Sequence, residues 1–372
     1  MQTPNPKHTP RRIVLTLLCL LMAAAIMLSC TQCKKQEEKT DAASKAETSD
    51  TKDGGGTKSD ASADALTFMT PEIPDDGPEP VYDENEGVYV YNKMAFELCG
   101  ASDGAGEDYA DAVSEFKKAY PDTTIYNMVI PNHTEFGLPT RLSEGMSSSQ
   151  SQNIKHIYTS YSQDVKPINC YNALCEHKDE YIYFNTDHHW TGLGAYYAYQ
   201  AFCEQTGQEA LQLSDCTEKQ IGGFSGTFIN CDSSLSQNID TVHYWELPYQ
   251  THAQARDEEG EDLYDTSVYV DGFGEGTNVY QTFIGGDHAL FVAYNDENKN
   301  GKKIAVFKDS FANAMIPYLT YNYEEVHVID PRYVSESISG YLKDNGITEV
   351  FFVNNIMSAN NAFTTDGIRG LI

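Results

Sequence analysis

Two short stretches of this sequence carry residue types that could do acid–base and nucleophilic chemistry together. The first is Thr186-Asp187-His188-His189-Trp190-Thr191, in which Asp187 and His189 lie two residues apart. In extended backbone their side chains lean to the same side, where a carboxylate can orient an imidazole and stabilise its charge. A base of this kind needs a nucleophile, and the second stretch offers Ser310, 121 residues after His189.

Each stretch is predicted to lie at a corner between a strand and a helix. Tyr181 to Phe184 has the alternation of a strand, and Leu193 to Phe202 has the apolar spacing of a packed helix. Val306 to Asp309 predicts the end of a buried strand, so Ser310 stands at the entrance of the next helix. Ligands of open α/β sheets bind at this edge, and a helix N-terminus offers unpaired N–H groups to an oxyanion. An ordinary helix cap is the alternative role for Ser310 and Asp309.

The adjacent histidines also raise the question of a metal site. Asp187, His188 and His189 offer three ligands within three residues. Neighbouring side chains of a strand point to opposite sides, however, and no further histidine or carboxylate cluster is placed to complete the ligand set. We therefore expect no metal, and we expect His188 to lie behind the Asp187–His189 pair or at the surface.

Strand and helix patterns alternate along the folded part of the chain, which we expect to begin near Val81. This rhythm predicts an α/β fold with a parallel sheet covered on both faces. The interval from about Leu211 to Asn300 has short Val/Tyr/Phe runs separated by Gly and Asp, and it predicts a β-rich insertion that helps to wall the site. The predicted strands are 87–91, 124–131, 181–184, 303–307, 325–329 and 349–353, and the predicted helices are 108–120, 149–161, 193–202, 312 onward and 334–343.

Composition narrows the classes of partner. The 372 residues include 55 Asp and Glu against 25 Lys and Arg, a formal net charge of -30. Such a surface repels nucleic acid, anionic membranes and acidic polyanions. A neutral or locally recognised substrate fits this charge better.

The first 30 residues predict an export signal. Lys7, Arg11 and Arg12 precede the apolar run from Ile13 to Leu28. Leu28-Ser29-Cys30 resembles the lipobox of bacterial lipoproteins, which would leave a diacylglyceryl group on Cys30. A plain transmembrane anchor is the alternative, although the run is short of the roughly 20 residues that a spanning helix needs.

Residues 31–80 are polar and poor in large apolar side chains, which predicts a disordered tether between the signal and the domain 81–372. Of the nine cysteines, Cys19 lies in the signal and Cys30 is the lipidation candidate. Seven remain, and an odd count forbids pairing all of them within the chain. None has the spacing of a zinc site.

The two chemical stretches together resemble the DHHW family, a relative of the alginate O-acetylation proteins within the SGNH-hydrolase superfamily. The resemblance covers most of the chain after about Val88, and it includes Lys308-Asp309-Ser310-Phe311-Ala312-Asn313 and Ile329-Asp330-Pro331-Arg332-Tyr333. It implies a flavodoxin-like three-layer fold with the motif order circularly permuted. It also implies a triad in which Ser310 is the nucleophile, His189 the base and Asp187 its orienter.

The same resemblance suggests donors to an oxyanion. Asn355 falls where the superfamily's asparagine could donate, with Asn354 as its competitor, and a strand-ending turn is the alternative. Gly285 or Gly286 could lend a backbone N–H, although glycine pairs commonly mark a tight turn.

Two further side chains are candidates for substrate contacts. Arg332 could bind an anionic group of a ligand, with a structural salt bridge as the alternative. Trp190 could stack on a sugar, with a buried anchor as the alternative.

Taken together, the sequence predicts an exported, lipid-anchored serine enzyme at the bacterial cell surface that acts on acyl esters. An O-acetyltransferase acting on a cell-envelope or extracellular polysaccharide is the leading interpretation. A carbohydrate acetylesterase would use the same triad with water as acceptor, and a non-catalytic glycan-binding lipoprotein is a third reading. The chemistry calls for no cofactor. The expected partners are a polysaccharide, an acetyl donor or donor protein, and the membrane through the lipid anchor, with no nucleic acid.

Overall fold

Strands and helices alternate through residues 65–75, 77–257, 262–334 and 337–372, the part of the chain that the computed structural model describes. The strands are β1 (Val81–Asp83), β2 (Val88–Tyr91), β3 (Met94–Glu97), β4 (Thr124–Ile130), β5 (Val165–Pro167), β6 (Thr217–Phe224), β7 (Asp240–Glu246), β8 (Thr251–Arg256), β9 (Tyr264–Thr266), β10 (Leu290–Asn295), β11 (Lys303–Lys308), β12 (Glu325–Ile329) and β13 (Glu349–Asn355). The α-helices are α1 (Asp103–Ala119), α2 (Thr134–Gly137), α3 (Thr140–Ser143), α4 (Gln150–Ser160), α5 (Tyr171–Glu176), α6 (Gly192–Thr206), α7 (Ile316–Leu319), α8 (Ser339–Asn345), α9 (Ile356–Ala359) and α10 (Ala362–Gly370). Short 3₁₀ helices lie at Leu213–Asp215, Ser233–Gln237, Val279–Thr282 and Ser310–Ala314.

The central sheet has the strand order β5-β4-β13-β11-β12-β10-β8-β9. The five strands from β5 to β12 are parallel, whereas β10, β8 and β9 are added antiparallel at one side. Because β11, β12, β13 and β4 run in the same direction, the residues that follow them meet at one edge of the sheet. That edge therefore receives Ser310 together with the segments after Ile329, Asn355 and Ile130.

Helices cover both faces of this sheet. Phe351 and Phe352 are neighbours in β13, so their side chains point to opposite faces. Phe352 packs against Phe116 of α1 with ring centroids 5.1 Å apart, and Phe351 packs against Phe202 of α6 at 4.4 Å. The predicted α/β class with a central parallel sheet between two helical layers is therefore confirmed.

The prediction of a strand at Tyr181 to Phe184 is wrong. This segment folds back on the residues that follow it: Phe184 N–H donates to His189 O at 3.2 Å, and Thr191 N–H donates to Ile182 O at 2.9 Å. The result is a tight loop closed by an isolated bridge between Tyr183 and Trp190, and it takes no place in the central sheet. Ile182, Tyr183 and Phe184 are all buried, so the loop does not have the one-sided burial of a surface strand.

The predicted β-rich insertion divides into two parts. β6 and β7 form a separate antiparallel hairpin, whereas β8, β9 and β10 extend the central sheet. The predicted strand 87–91 forms, as β2, in a separate sheet with β1 and β3. The helix expected at 334–343 is shorter and later, from Ser339 to Asn345, and it ends at Gly346 in the left-handed conformation.

The folded body begins before the expected boundary near Val81. The backbone carbonyls of Ala65 and Thr67 accept hydrogen bonds from Asn169 at 3.5 and 3.0 Å, and Met69 N–H donates to Asn172 Oδ1 at 2.9 Å. Side-chain amides thus tie this segment to the region around α5.

Several predictions made from the sequence lie outside the described residues. They are the signal peptide 1–30, the lipidation site Cys30 and the first part of the tether. The described cysteines, Cys99, Cys170, Cys175, Cys203, Cys216 and Cys231, are all free thiols. Among the described helices, none combines the length and apolarity needed to cross a membrane.

Candidate active site

Ser310 is held at the sheet edge by the carboxylate that precedes it. Asp309 follows β11, and its Oδ1 accepts the N–H of Phe311 at 3.0 Å, which caps the 3₁₀ helix Ser310–Ala314. Its Oδ2 accepts the N–H of Asn355 at 2.7 Å, so the ends of β11 and β13 are joined through one side chain. Asp309 therefore acts as the cap that the sequence offered as an alternative, and it fixes Ser310 beyond the end of β11.

His189 and Asp187 complete a chain of hydrogen bonds that starts at Ser310. Ser310 Oγ lies 2.7 Å from His189 Nε2, and His189 Nδ1 lies 2.6 Å from Asp187 Oδ1. Asp187 Oδ1 also accepts the backbone N–H of His189 at 3.0 Å. His189 and Asp187 are 7% and 4% exposed, so both hydrogen bonds are largely shielded from water.

The electrostatics favour an ionised Asp187. Burial alone would raise the pKa of its carboxyl, but the charges of His188 and His189 and hydrogen bonds from His189 and Thr227 lower the pKa well below its ordinary value. An ionised Asp187 accepts a hydrogen bond from Nδ1 of His189 and leaves the lone pair of Nε2 facing Ser310. In this tautomer His189 can take the serine proton.

A second buried carboxylate holds the loop that carries this pair. Asp240, the first residue of β7, accepts the N–H of Asn185 and of Thr186, each at 2.8 Å. It also accepts the side chains of Asn185 at 2.8 Å, Thr186 at 2.5 Å and Tyr181 at 2.6 Å. Five donors on one carboxylate fix the entrance to Asp187. No sequence motif marked Asp240, because it lies in a hairpin more than 50 residues along the chain from the loop that it holds.

The β6–β7 connection cradles Asp187 directly. Thr227 N–H donates to Asp187 Oδ2 at 2.9 Å, which satisfies the oxygen that His189 leaves free. A Cβ atom on Gly226 would lie 2.3 Å from Cβ of Asp187 and 2.4 Å from Thr186 O, so only glycine allows this approach. The prediction that the insertion helps to wall the site is in keeping with this contact.

Tyr280 is a site residue that the sequence did not reveal. Its ring stacks on the His189 ring with centroids 3.9 Å apart and planes 15° apart. Its hydroxyl donates to the backbone carbonyls of Ser310 at 3.0 Å and Phe311 at 3.1 Å. One side chain thus contacts both His189 and the backbone of Ser310 and Phe311. It is one of 25 tyrosines, and no local pattern singled it out.

Trp190 also supports the segment Ser310–Phe311, from the buried side. It is fully buried, and its Nε1–H donates to Phe311 O at 2.7 Å. The suggested sugar-stacking role is wrong because no face of the ring is accessible, and the buried-anchor alternative holds.

A buried cluster of four charges lies behind the nucleophile. Lys308, two residues before Ser310, is 1% exposed in its side chain and donates to Asp287 at 2.6 Å and Asp330 at 3.1 Å. Arg332 pairs with the same two carboxylates, at 2.8 and 2.6 Å. Burial would lower the pKa of Lys308, but the two carboxylates raise it, so the amine stays charged.

This cluster corrects the assignment of Arg332. The guanidinium is committed to Asp330 through two hydrogen bonds and to Asp287 through a third. Two paired carboxylates use three of its five N–H donors and offset its charge. Arg332 therefore has the structural salt bridge given as its alternative role.

The glycine pair also has a structural role. Gly285 and Gly286 adopt φ of 80° and 101°, which other residues rarely adopt. Their N–H groups donate to the carbonyls of Gln281 and Phe283 within their own turn. Neither is left to donate to an oxyanion, so that assignment is wrong. The turn instead delivers Asp287 to the charge cluster.

The two asparagines at the end of β13, Asn354 and Asn355, have different hydrogen-bond partners. Asn355 caps α9 through Oδ1, which accepts the N–H of Met357 at 2.9 Å, and its Nδ2 donates to Ile130 O at 3.3 Å. One amide hydrogen of Asn355 remains for another acceptor. Asn354 points the other way, and its Oδ1 accepts the hydroxyl of Tyr109 at 2.8 Å.

The expectation about His188 is wrong in its geometry. Because the backbone is not extended there, the His188 and His189 rings do not point apart, and their centroids are 3.9 Å apart. Asp187, His188 and His189 place ligand atoms within 4.8 Å of one another, so they could in principle hold a cation. The Asp187–His189 and His189–Ser310 hydrogen bonds already occupy those atoms, and among the described residues no fourth ligand joins them.

Comparisons with known proteins agree with this architecture. A family model described as DHHW protein matches residues 81–329. The crystal structure of a DHHW family protein from Eubacterium siraeum is 31% identical over 79% of this chain and 97% of that one, with a TM-score of 0.72. No curated protein sequence matches the chain.

PatB1 shares the fold at a lower sequence identity. PatB1 of Bacillus cereus, solved free and with a sulfonyl adduct, has TM-scores of 0.62 and 0.60 at 21% identity, over 77% of this chain and 99% of that one. The O-acetyltransferase domain of Pseudomonas putida AlgJ aligns at 9% identity over 78% of this chain and 99% of that one, with a TM-score of only 0.40. The likeness to PatB1 shows that the two chains share the same overall fold.

Proposed function

This chain belongs to the DHHW family, and from that premise we propose that it is a serine acyltransferase that moves acetyl groups onto a glycan outside the cytoplasmic membrane. The observation that carries the proposal is the unbroken sequence of hydrogen bonds from Ser310 Oγ through His189 to Asp187, at 2.7 and 2.6 Å. A serine that serves only as a helix cap needs no such partner.

The first half of the reaction forms an acyl-enzyme. His189 Nε2 takes the proton of Ser310 while Oγ attacks the carbonyl carbon of the acetyl ester. The backbone N–H of Ser310, which makes no hydrogen bond to another described residue, and the free amide hydrogen of Asn355 are the proposed donors to the oxyanion. The donor alcohol then leaves with the proton from His189.

The acceptor of the acetyl group determines the reaction class of the enzyme. A sugar hydroxyl that attacks the acetyl-serine makes the enzyme an O-acetyltransferase, and water makes it an acetylesterase. The same three residues serve both reactions. A net charge of -30 favours a neutral glycan over a polyuronate as the acceptor.

A fluorophosphonate probe tests the nucleophile. The full chain should be labelled once, with the adduct on the peptide that contains Ser310, and Ser310→Ala should abolish labelling. Ser236→Ala, which removes an exposed serine of the insertion, is the matched control and should label like the wild type. A folded wild-type protein that neither labels nor releases nitrophenol from p-nitrophenyl acetate would contradict the proposal.

Asp187→Asn separates catalysis from folding. An asparagine of the same shape cannot hold the base in the required tautomer, and such a change costs on the order of 10⁴ in rate in a serine protease triad. We expect a comparable loss of acylation rate in a protein that stays folded, with a melting temperature lowered by a few degrees because the amide cannot accept all three N–H groups that Asp187 accepts. Unfolding without a specific rate effect would assign Asp187 a purely structural role.

The lipid anchor is proposed from the sequence alone. Cys30 is the modification site, and intact-mass analysis of the protein purified from membranes should show a diacylglyceryl group at the N-terminus. Cys30→Ala should release the protein from the membrane fraction. An unmodified N-terminus would favour the transmembrane anchor instead.

A further inference from the structure

A cavity of about 460 Å³ lies against the loop that leads to Asp187, and the proposed mechanism leaves it unused. Its walls come from residues of that loop, 181–185, from the preceding residues 178–180, from the β2–β3 turn, from His133 and α2, and from the segment 73–74. These parts of the chain are distant in sequence, so the cavity exists only in the folded protein. Its volume lies within the range of about 300–1,000 Å³ that is typical of ligand sites.

Two loop residues in this wall have some of their polar groups committed and others free. Tyr181 is partly exposed, and its hydroxyl donates to Asp240 Oδ1 at 2.6 Å, so its ring is what remains for a ligand. Asn185 is also partly exposed, and its Nδ2 donates to the same oxygen at 2.8 Å. Oδ1 of Asn185 makes no hydrogen bond to another described residue and remains as an acceptor. The contacts with Asp240 hold both side chains in place without a ligand.

Asn92 supplies a free amide from the β2–β3 turn. Asn92 and Lys93 alone join β2 to β3, and they adopt positive φ of 50° and 63°, as in a type I′ hairpin turn. Asn92 is exposed and lines the cavity, and its side chain has no hydrogen-bond partner among the described residues. Because the tight turn fixes the backbone, a ligand would have to order only the side chain of Asn92.

The charges of the lining disfavour an anionic ligand. Asp179 and Glu180 outnumber Lys178, and the Lys178 amine is already bound to Asp179 at 2.7 Å. His133 adds no positive charge at pH 7, because burial lowers its pKa to about 4. A carboxylate or phosphate of a ligand would therefore meet a net negative lining, with no unpaired cation among the described residues that form it.

We propose that this cavity binds an uncharged sugar unit of the glycan, with the ring of Tyr181 against the sugar face and the amides of Asn92 and Asn185 on its hydroxyls. The identification of the ligand as a glycan rests on the proposed function. Sugar hydroxyls both donate and accept hydrogen bonds, which suits amides that offer an NH₂ group and carbonyl oxygens. An apolar wall with a few placed polar groups is the usual composition of a site for a small neutral ligand.

The loop that forms this wall continues directly into Asp187 and His189. A polymeric glycan held by one unit in the cavity stays at the enzyme, which raises the effective concentration of its other units around the acetyl-serine. The cavity takes no part in the proton transfers between Ser310 and His189. The triad and this subsite can therefore succeed or fail independently in experiments.

Isothermal titration calorimetry of the full chain tests the subsite without any acetyl donor, so that no transfer contributes to the signal. The ligands are cellotetraose, mannotetraose and chitotetraose, which are uncharged, and tetragalacturonate, which carries a carboxylate on each unit. At least one uncharged tetrasaccharide should bind with a millimolar or lower Kd. Tetragalacturonate should bind about tenfold more weakly than that sugar, because the lining is net negative.

Paired variants locate the binding site in the cavity. Tyr181→Leu and Tyr181→Phe both lose the hydroxyl, but only the leucine variant loses the ring, and it should bind about fivefold more weakly than the phenylalanine variant. Asn92→Gly removes the amide at a position whose positive φ glycine accepts, and the Kd should rise about fivefold. Asn85→Gly removes another exposed asparagine, from the turn at the other end of β2, and it should bind like the wild type.

The outcomes separate the subsite from the proposed reaction. Weaker binding in Tyr181→Leu and Asn92→Gly than in their controls supports the subsite. No binding of any uncharged tetrasaccharide, equal binding in each variant and its control, or tighter binding of tetragalacturonate overturns the subsite, while fluorophosphonate labelling of Ser310 would still support the acyltransferase. Sugar binding that the variants weaken, in a wild type that the probe does not label, overturns the acyltransferase and leaves the subsite standing.

Discussion

Replacing Lys308 by methionine is expected to destabilise the protein through charge rather than through shape. The amine is 1% exposed and is bound to Asp287 at 2.6 Å and Asp330 at 3.1 Å. Methionine has a similar length but no charge. The cluster of Lys308, Arg332, Asp287 and Asp330 then changes from neutral to a net charge of about -1 in a buried site.

The expected cost is about 3 kcal/mol. Removing one partner of a buried ion pair costs about 3–5 kcal/mol, because the remaining charge is left uncompensated. The lower end applies here, since Arg332 stays bound to both carboxylates. At about 2 °C per kcal/mol for a domain of this size, the melting temperature at pH 7 should fall by about 6 °C.

The pH dependence identifies the cause. Burial would raise the pKa of Asp287, but the charges of Lys308 and Arg332 lower it below its ordinary value. A lowered pKa in the folded state adds stability above the ordinary value of about 3.9, and that stability is lost as the pH falls toward the folded pKa. In Lys308→Met the carboxyl is less depressed, so the variant loses less stability on acidification. The difference in melting temperature should therefore shrink between pH 7 and pH 3.

Lys303→Met is the matched control on the same strand. Lys303 pairs with Glu325 at 2.8 Å, but both side chains are partly exposed, at 28% and 18%. Such a pair is worth less than about 1 kcal/mol. The reasoning would be refuted by equal losses in the two variants at pH 7. A penalty for Lys308→Met that is the same at pH 3 and pH 7 would point to packing rather than charge.

Three further substitutions probe the support of the site. Tyr280→Phe keeps the ring on His189 but removes the hydrogen bond from its hydroxyl to the carbonyl of Ser310. Acylation should slow about tenfold in stopped-flow assays, and an unchanged rate would mean that stacking alone suffices. Gly226→Ala forces a Cβ to within 2.3 Å of Cβ of Asp187 and should slow acylation about 100-fold, whereas Gly222→Ala, with no atom nearer than 3.9 Å, should not. Asp240→Asn replaces an acceptor of five hydrogen bonds and should lower stability by about 2 kcal/mol in urea melts; a wild-type midpoint would contradict this role.

The chemistry of the candidate site was the part that the sequence revealed best. Asp187 and His189 are neighbours in the chain, and Ser310 follows a strand with an unmistakable apolar run, so local pattern alone indicated where each would lie. The structure brings all three within hydrogen-bonding distance. The prediction that extended backbone aligns Asp187 with His189 was nevertheless wrong, because a folded loop aligns the two side chains.

The fold class was also accessible, because buried parallel strands and packed helices have different apolar periods. Strand 325–329 formed within the predicted bounds, and strands 303–307 and 349–353 were extended by one and two residues. Strand pairing in the insertion was not accessible. β8 reads Thr-His-Ala-Gln-Ala-Arg and carries no Val/Tyr/Phe signal, and only tertiary contacts decide that β8, β9 and β10 join the central sheet while β6 and β7 pair apart from it.

The sequence by itself determined the residue types of the candidate triad, the placement of Ser310 beyond a strand end and the parallel α/β class, because each depends on a few adjacent residues. The tertiary structure decided everything that depends on residues far apart in the chain. It assigned Arg332 to a buried ion cluster, closed Gly285 and Gly286 into a turn, and brought Tyr280 and Asp240 to a loop more than 50 residues away. Hydrogen bonds and ring contacts act over a few ångströms of space. When they join residues far apart in the chain, they leave no local sequence pattern from which they could be predicted.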